Sequence, residues 1–162
     1  MILIALGANL PSAAGRPEDT LRAALVSLGA RGITVERQSG FYASEAWPNP
    51  ADPPFVNAAV AVRTSLGPAD LLRVLHEVEA DFGRKSGPRN APRPLDLDLI
   101  DYDGRIEHGV PELPHPRMET RAFVLVPLWE IAPDWRHPVS GQTIAELMAG
   151  ISPAKVTPLT GG

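Results

Sequence analysis

The chain contains no cysteine. Disulfides, thiol catalysis and Cys-ligated zinc or iron–sulfur sites are therefore excluded. No apolar run approaches the ~18 residues of a membrane span; the longest, Ala122 to Trp129, is cut by Glu130. The N-terminal run from Met1 to Gly7 has no basic flank and turns polar at Asn9, unlike a signal peptide. Lysine is scarce: Lys85 and Lys155 stand alone among 15 basic residues, and the rest are Arg. Coding bias and forked recognition of phosphates or carboxylates both produce that pattern. There is no Gly-x-x-x-x-Gly-Lys-Ser/Thr phosphate loop, no Gly-x-Gly-x-x-Gly turn and no Gly-x-Ser-x-Gly elbow, so the commonest nucleotide and hydrolase cradles are absent. A net charge of −4 argues against broad nucleic-acid binding. The expectation is a cytoplasmic protein with neither nucleic acid nor membrane as a partner.

Proline is present in excess. Eighteen prolines and 14 glycines in 162 residues exceed ordinary usage, but 44 % hydrophobic residues argue for a folded chain with stiff loops rather than disorder. One domain over 1–162 is expected at this length. Residues 2–7 read as a buried strand ending at Gly7. Pro17 opens a helix whose Leu21, Leu25 and Leu28 share a face, with Gly29 or Gly32 as its stop. Residues 33–42 alternate as one strand, Ile33, Val35, Arg37, Ser39 and Phe41 on one side. Residues 47–54 are too proline-rich for a central strand. In 55–64, Val56, Ala58, Val60 and Val62 face one way, and Phe55, Asn57, Ala59 and Ala61 the other. Gly67-Pro68 starts a second helix with a stripe of Leu71, Leu72, Leu75, Val78 and Phe82, stopped by Gly83. Leu95 to Tyr102 is a strand, 103–117 is irregular, Arg121 to Ile131 is a helical turn or two broken at Pro127, and Ile144, Leu147, Met148 and Ile151 mark a last short helix. The order β-α-β-β-α-β plus a helical tail predicts an α+β, ferredoxin-like core with a mainly antiparallel sheet and helices packed on it.

The strongest chemical signal is Arg93-Pro-Leu-Asp96-Leu-Asp98-Leu. On a strand, Asp96 and Asp98 face the same way, their Cβ atoms ~6.5–7 Å apart. Two like charges in that position suit a hard divalent cation such as Mg²⁺, which takes one or two carboxylates plus substrate phosphates. A solvated polar edge is the alternative reading. Before the pair runs Gly83 to Arg93, with Arg84, Lys85, Arg89 and Arg93 and no acid. Cations beside metal-binding carboxylates suit a nucleotide polyphosphate. A third element, Pro114-His115-Pro116-Arg117, fixes a histidine between prolines. Arg117 and Arg121 share a face if that stretch is helical.

Ala5-Leu-Gly-Ala-Asn-Leu, Phe41-Tyr-x-Ser, Phe55-Val-Asn-Ala, Glu79-x-x-x-Gly83-Arg84, Arg93-Pro-Leu-Asp-Leu-Asp98, Pro114-His-Pro-Arg-Met and Arg121-x-Phe-Val-Leu-x-Pro-Leu occur in an order that resembles the 6-hydroxymethyl-7,8-dihydropterin pyrophosphokinases of folate biosynthesis. Residues 2–135 carry the likeness. A monomer is expected, and the resemblance implies an enzyme that moves pyrophosphate from ATP to the pterin hydroxymethyl group, giving AMP. It implies two Mg²⁺ ions on Asp96 and Asp98, and catalytic roles for Arg84, Arg93, Asp96 and Asp98. It places Glu79, Arg84, Arg89, Arg93, His115, Arg117 and Arg121 at ATP. It places Ser44, Glu45, Trp47, Phe55, Asn57, Asp96 and Phe123 at the pterin, stacked between the two Phe rings with Asn57 on its amide edge. The chain departs from the family pattern at Ser86, where a second loop Arg is usual, and at Asn90-Ala91, where Trp-Gly is usual. His76 stands where Gln is common, and Glu45 where Pro is common.

Overall fold

The computed structural model describes residues 1–12, 14–44, 54–83, 94–151 and 156–159. Strand β1, Ile2–Ala8, is buried along its whole length. Its apolar side chains alternate between two cores, as expected of a strand covered on both faces. Helix α1, Pro17–Ala30, leads to β2, Thr34–Gln38, and β3, Tyr42–Ser44. Strand β4, Phe55–Arg63, is followed by α2, Pro68–Asp81, and β5, Asp96–Tyr102. Two-residue strands β6, Glu107–His108, and β7, Glu112–Leu113, form a small hairpin. A 3₁₀ turn, Met118–Thr120, precedes α3, Ala122–Ile131, and α4, Ile144–Ala149. The last strand is β8, Val156–Pro158.

The main sheet runs β5-β1-β4-β3-β8, with β2 also paired to β4. Its pairings are antiparallel. Both α1 and α2 return the chain over a strand that lies between the two they connect, which is the split βαβ plan of the ferredoxin-like core. Leu21 and Leu28 of α1 and Leu71 and Leu75 of α2 pack on one face with Ile4, Leu6, Val60 and Leu97. On the other face Leu3, Ala5, Ala59, Ala61 and Ile100 meet Val124, Leu125 and Leu128 of α3 and Ile144 and Leu147 of α4. The C-terminal helices thus form a third layer. Small residues at Ala5, Ala59 and Ala61 let α3 lie close to the strands.

Three local expectations are corrected and one is narrowed. Residues 33–42 are not one strand. The register of β2 on β4 shifts between Val35 and Arg37, and a bulge sends the next side chain to the other face. Val35 therefore packs with the α1/α2 core, whereas Arg37 Nη1 donates to the Ile131 carbonyl at the end of α3, 2.9 Å. Helix α3 runs through Pro127. Proline removes the donor that the Phe123 carbonyl would have used, but burial of Val124, Leu125, Leu128 and Ile131 outweighs one lost bond. Of the two expected stops, Gly29 lies inside α1, and Gly32, with a positive φ of 82°, follows the C-cap Arg31 and ends the helix. Finally, the tail adds strand β8 on β3 beyond its short helix.

Candidate active site

Strand β5 presents the aspartate pair. Leu95, Leu97 and Leu99 are buried in the α1/α2 core, so Asp96 and Asp98 project to the α3 side, both half-buried. Strand β5 lies at the edge of the sheet. Between the two aspartates, the Leu97 N–H donates to Glu79 Oε2 at 2.8 Å. Glu79, on α2, is 1 % exposed. The resemblance placed it among ATP ligands; the structure puts its carboxylate under β5, where it holds the backbone that carries the pair.

Register brings further predicted residues alongside. Gly7 of β1 sits opposite Asn57 of β4 on one side and opposite Asp96 of β5 on the other. One row further along, Ala5 lies between Ala59 and Asp98. Tyr42 of β3 continues the first row beyond Asn57. The hollow in that row is the missing side chain of Gly7: a Cβ there would lie 3.4 Å from Asn57 Oδ1 and 3.7 Å from Phe55 Cδ1, ordinary contact distances. Asn57 is 3 % exposed, and its Nδ2 donates to Ser44 Oγ at 2.7 Å. Phe55 and Phe123 are half-buried, Phe123 in the first turn of α3. Strand β3 is tied to α3 by Glu130, whose carboxylate accepts from the Tyr42 hydroxyl at 2.5 Å and from the Gly40 N–H at 3.1 Å. Burial, and then this carboxylate, push the Tyr42 hydroxyl up to about 12.

His115 joins from the segment after β7. Its backbone N–H donates to the Ile100 carbonyl, 2.9 Å. Its Nδ1 accepts from the Arg117 N–H at 3.2 Å, so a neutral ring carries its proton on Nε2. Burial is the largest cause lowering His115 to about 4; Arg121 and Arg117 add to it, and Asp96 opposes it. Asp96, His115, Arg117 and Arg121 thus share one electrostatic neighbourhood. Arg117 and Arg121 flank the 3₁₀ turn rather than sharing an α-helical face. The Arg121 guanidinium lies 5.6 Å from the Phe123 ring centre. A folded pKa below the unfolded 6.5 means that the unfolded chain takes the proton first as pH falls. The stabilisation contributed by the neutral ring is present above about 6.5 and is lost towards about 4. NMR titration is expected to show His115 neutral at pH 5.5; an ordinary midpoint would contradict the buried geometry.

Glu45, Trp47, Arg84, Arg89 and Arg93 lie outside the described residues. A separate hollow of about 400 Å³ along the outer face of α2 is lined by Ala69, Leu72, Arg73, His76, Glu77, Ala80 and Val110. It contains none of the predicted site residues. Sequence reasoning missed Gly7 as part of the site and the Glu130 anchor. A glycine inside an apolar strand, which marks close approach by another group, was the available signal for the first.

The fold defines the class. Over 92 % of this chain and 44 % of the longer one, a Plasmodium falciparum HPPK-DHPS crystal structure superposes with a TM-score of 0.69 at 14 % identity. This is therefore an α+β antiparallel-sheet protein of that architecture. The family follows from sequence. The model for 7,8-dihydro-6-hydroxymethylpterin-pyrophosphokinase (HPPK) matches residues 3–133. A 2-amino-4-hydroxy-6-hydroxymethyldihydropteridine pyrophosphokinase of Synechocystis sp. is 43 % identical over 162 residues, covering 99 % of this chain and 80 % of that protein. Another so named, from Methylorubrum extorquens, is 37 % identical over 155 residues, 94 % of each chain. The chain belongs to the HPPK family. It is a transferase with pyrophosphokinase activity in folate biosynthesis. Among the described residues, no helix is long and apolar enough to cross a membrane.

Proposed function

We propose that the chain transfers the terminal diphosphate of ATP to 6-hydroxymethyl-7,8-dihydropterin, releasing AMP. The hydroxymethyl oxygen forms a bond to the β-phosphorus, the bond from that phosphorus to the α-phosphate oxygen breaks, and the hydroxyl proton passes to solvent. The observation that supports this most is register: Asn57, Gly7 and Asp96 are neighbours across three strands, with Asp98 one row away. A heterocycle over Gly7 would thereby lie beside two carboxylates.

The donor set suits Mg²⁺. Asp96 and Asp98 offer hard oxygen ligands on one face, both half-exposed. Among the described residues, no three His, Cys, Asp or Glu side chains cluster as a closed metal cage. A cation held by two carboxylates and completed by substrate phosphates and water fits that count. Asp96 and Asp98 would hold two ions, which when bound neutralise charge on the triphosphate. Neutral His115 donates from Nε2, while Arg117 and Arg121 supply fixed positive charge to phosphate oxygens. Arg84, Arg89 and Arg93 are assigned to the same anion by resemblance, with Glu45 and Trp47 at the pterin. Phe55 and Phe123 offer flat apolar faces to the heterocycle. Orientation of the two substrates is the main catalytic contribution of these side chains. Residues 1–162 are read as one pyrophosphokinase domain, a cytoplasmic monomer.

Product analysis tests the reading. Incubation with ATP, Mg²⁺ and hydroxymethyldihydropterin is expected to give AMP one-for-one with pterin diphosphate. ADP or free phosphate in place of AMP would indicate another phosphotransferase or a phosphohydrolase. Tight pterin binding with no AMP would indicate a binding module.

A further inference from the structure

The side-chain amide of Asn57 has two ends of opposite hydrogen-bonding character, and its neighbours decide which end faces the substrate. The Tyr42 carbonyl can only accept. It lies 3.5 Å from Asn57 Nδ2, a long contact that still identifies that end of the amide as the NH₂. Ser44 Oγ, which can donate or accept, is therefore cast as acceptor for Nδ2 at 2.7 Å. Ser44 is 7 % exposed and Asn57 3 %, so bulk water has little access to replace the bond. With the NH₂ turned towards β3, the opposite end, Oδ1, is the atom that a Cβ at Gly7 would meet at 3.4 Å.

We propose that Ser44 is a positioning residue: by accepting the Asn57 NH₂ it turns Asn57 Oδ1 into the hollow over Gly7, so that this wall selects a heterocycle edge that donates hydrogen bonds. The resemblance placed Ser44 among direct pterin contacts; here it acts through Asn57. Given a pterin in this hollow, as proposed above, the 2-amino group and the adjacent ring N–H are the donors that Oδ1 favours. An analogue of the same size with an oxo group in place of the 2-amino group brings an oxygen against Oδ1. Buried polar groups left without partners are what make such discrimination large.

Two measurements test this. In ¹⁵N-edited spectra of the wild-type protein without ligand, the Asn57 NH₂ is expected to exchange slowly with solvent and to remain bonded when the pterin is added. Solvent-rate exchange, or an NH₂ signal that moves as though donating to the ligand, would overturn the proposal without any variant. The second measurement compares Kd for the hydroxymethyldihydropterin with Kd for its 2-oxo analogue. Ser44→Ala is expected to narrow the wild-type preference for the amino form by roughly three- to tenfold, the worth of one net hydrogen bond, and to raise KM for the pterin more than KM for ATP. Ser44→Thr, which keeps the hydroxyl, is expected to restore both. Unchanged discrimination in Ser44→Ala would overturn the proposal. If the wild-type protein does not bind the pterin at all, the substrate assignment falls instead, and the Asn57 exchange measurement still decides the role of Ser44.

Discussion

Asp98→Asn is expected to lower AMP formation on the order of 10³-fold, the several kcal/mol that a bound divalent cation contributes to charge stabilisation in phosphoryl-group transfer. The substitution keeps the size and shape of the side chain and removes its negative charge, so a hard cation loses an anionic oxygen. Strand β5 itself has little reason to change. Asp98 is half-buried on the α3 side, and its neighbours Leu97 and Leu99 are buried in the opposite core. Two carboxylates on one strand face repel each other in the absence of a cation, so removing one charge relieves that repulsion, and the melting temperature of the variant without metal checks that it folds. Its Mg²⁺ requirement, read from activity against metal concentration, is expected to rise. Wild-type turnover at ordinary Mg²⁺ would remove Asp98 from the metal site. A large fall in melting temperature would make the residue structural.

The central strands were legible because each face of the sheet meets a separate core. The alternation of Val56, Ala58, Val60 and Val62 with Ala59 and Ala61, and of Leu95, Leu97 and Leu99 with Asp96 and Asp98, follows directly from a period of two. Both helices of the core announced themselves through Pro17 and Pro68 at their starts. The bulge at Val35/Arg37 was not legible, because one extra residue reverses facing while leaving the apolar pattern almost intact. Pro127 misled because local propensity counts the lost donor but not the burial of α3 on Ala5, Ala59 and Ala61. The site divides similarly. The i, i+2 spacing of Asp96 and Asp98 is local and could be read. The neighbourhood of Asn57, Gly7 and Asp96 is a matter of register across three strands, and no segment of sequence contains it. Glu79 belongs with these, since its partner at Leu97 is 18 residues away. The anchor from Glu130 to Tyr42 spans 88 residues, and neither residue carries a local sign of the other.

Gly7→Val is the substitution that most directly separates fold from binding. The Gly7 backbone does not require glycine, since its φ lies outside the positive region that Gly15, Gly32, Gly83, Gly104 and Gly141 occupy. A Cβ at Gly7 reaches ordinary contact distances, 3.4 Å to Asn57 Oδ1, 3.7 Å to Phe55 Cδ1 and 3.9 Å to the Val56 carbonyl. Alanine therefore fits, and valine, a better strand former than glycine, adds two methyl groups that point into the hollow. The variant is expected to fold with a wild-type circular dichroism spectrum and to bind the pterin about a hundredfold more weakly, the upper range for forcing extra methyl groups into a filled space. Gly7→Ala is expected to fall between valine and wild type. Nucleotide binding is expected to change far less, because His115, Arg117 and Arg121 approach from the segment before α3, with Arg121 at its N-cap, rather than from β1. Titration calorimetry with each substrate separately reads both effects. Equal losses for ATP and pterin would mean that valine distorts β1 and with it the pairing to β5. An unchanged pterin affinity would mean that the heterocycle lies elsewhere, because a ligand seated between Asn57 and Asp96 cannot share the space over Gly7 with an isopropyl group.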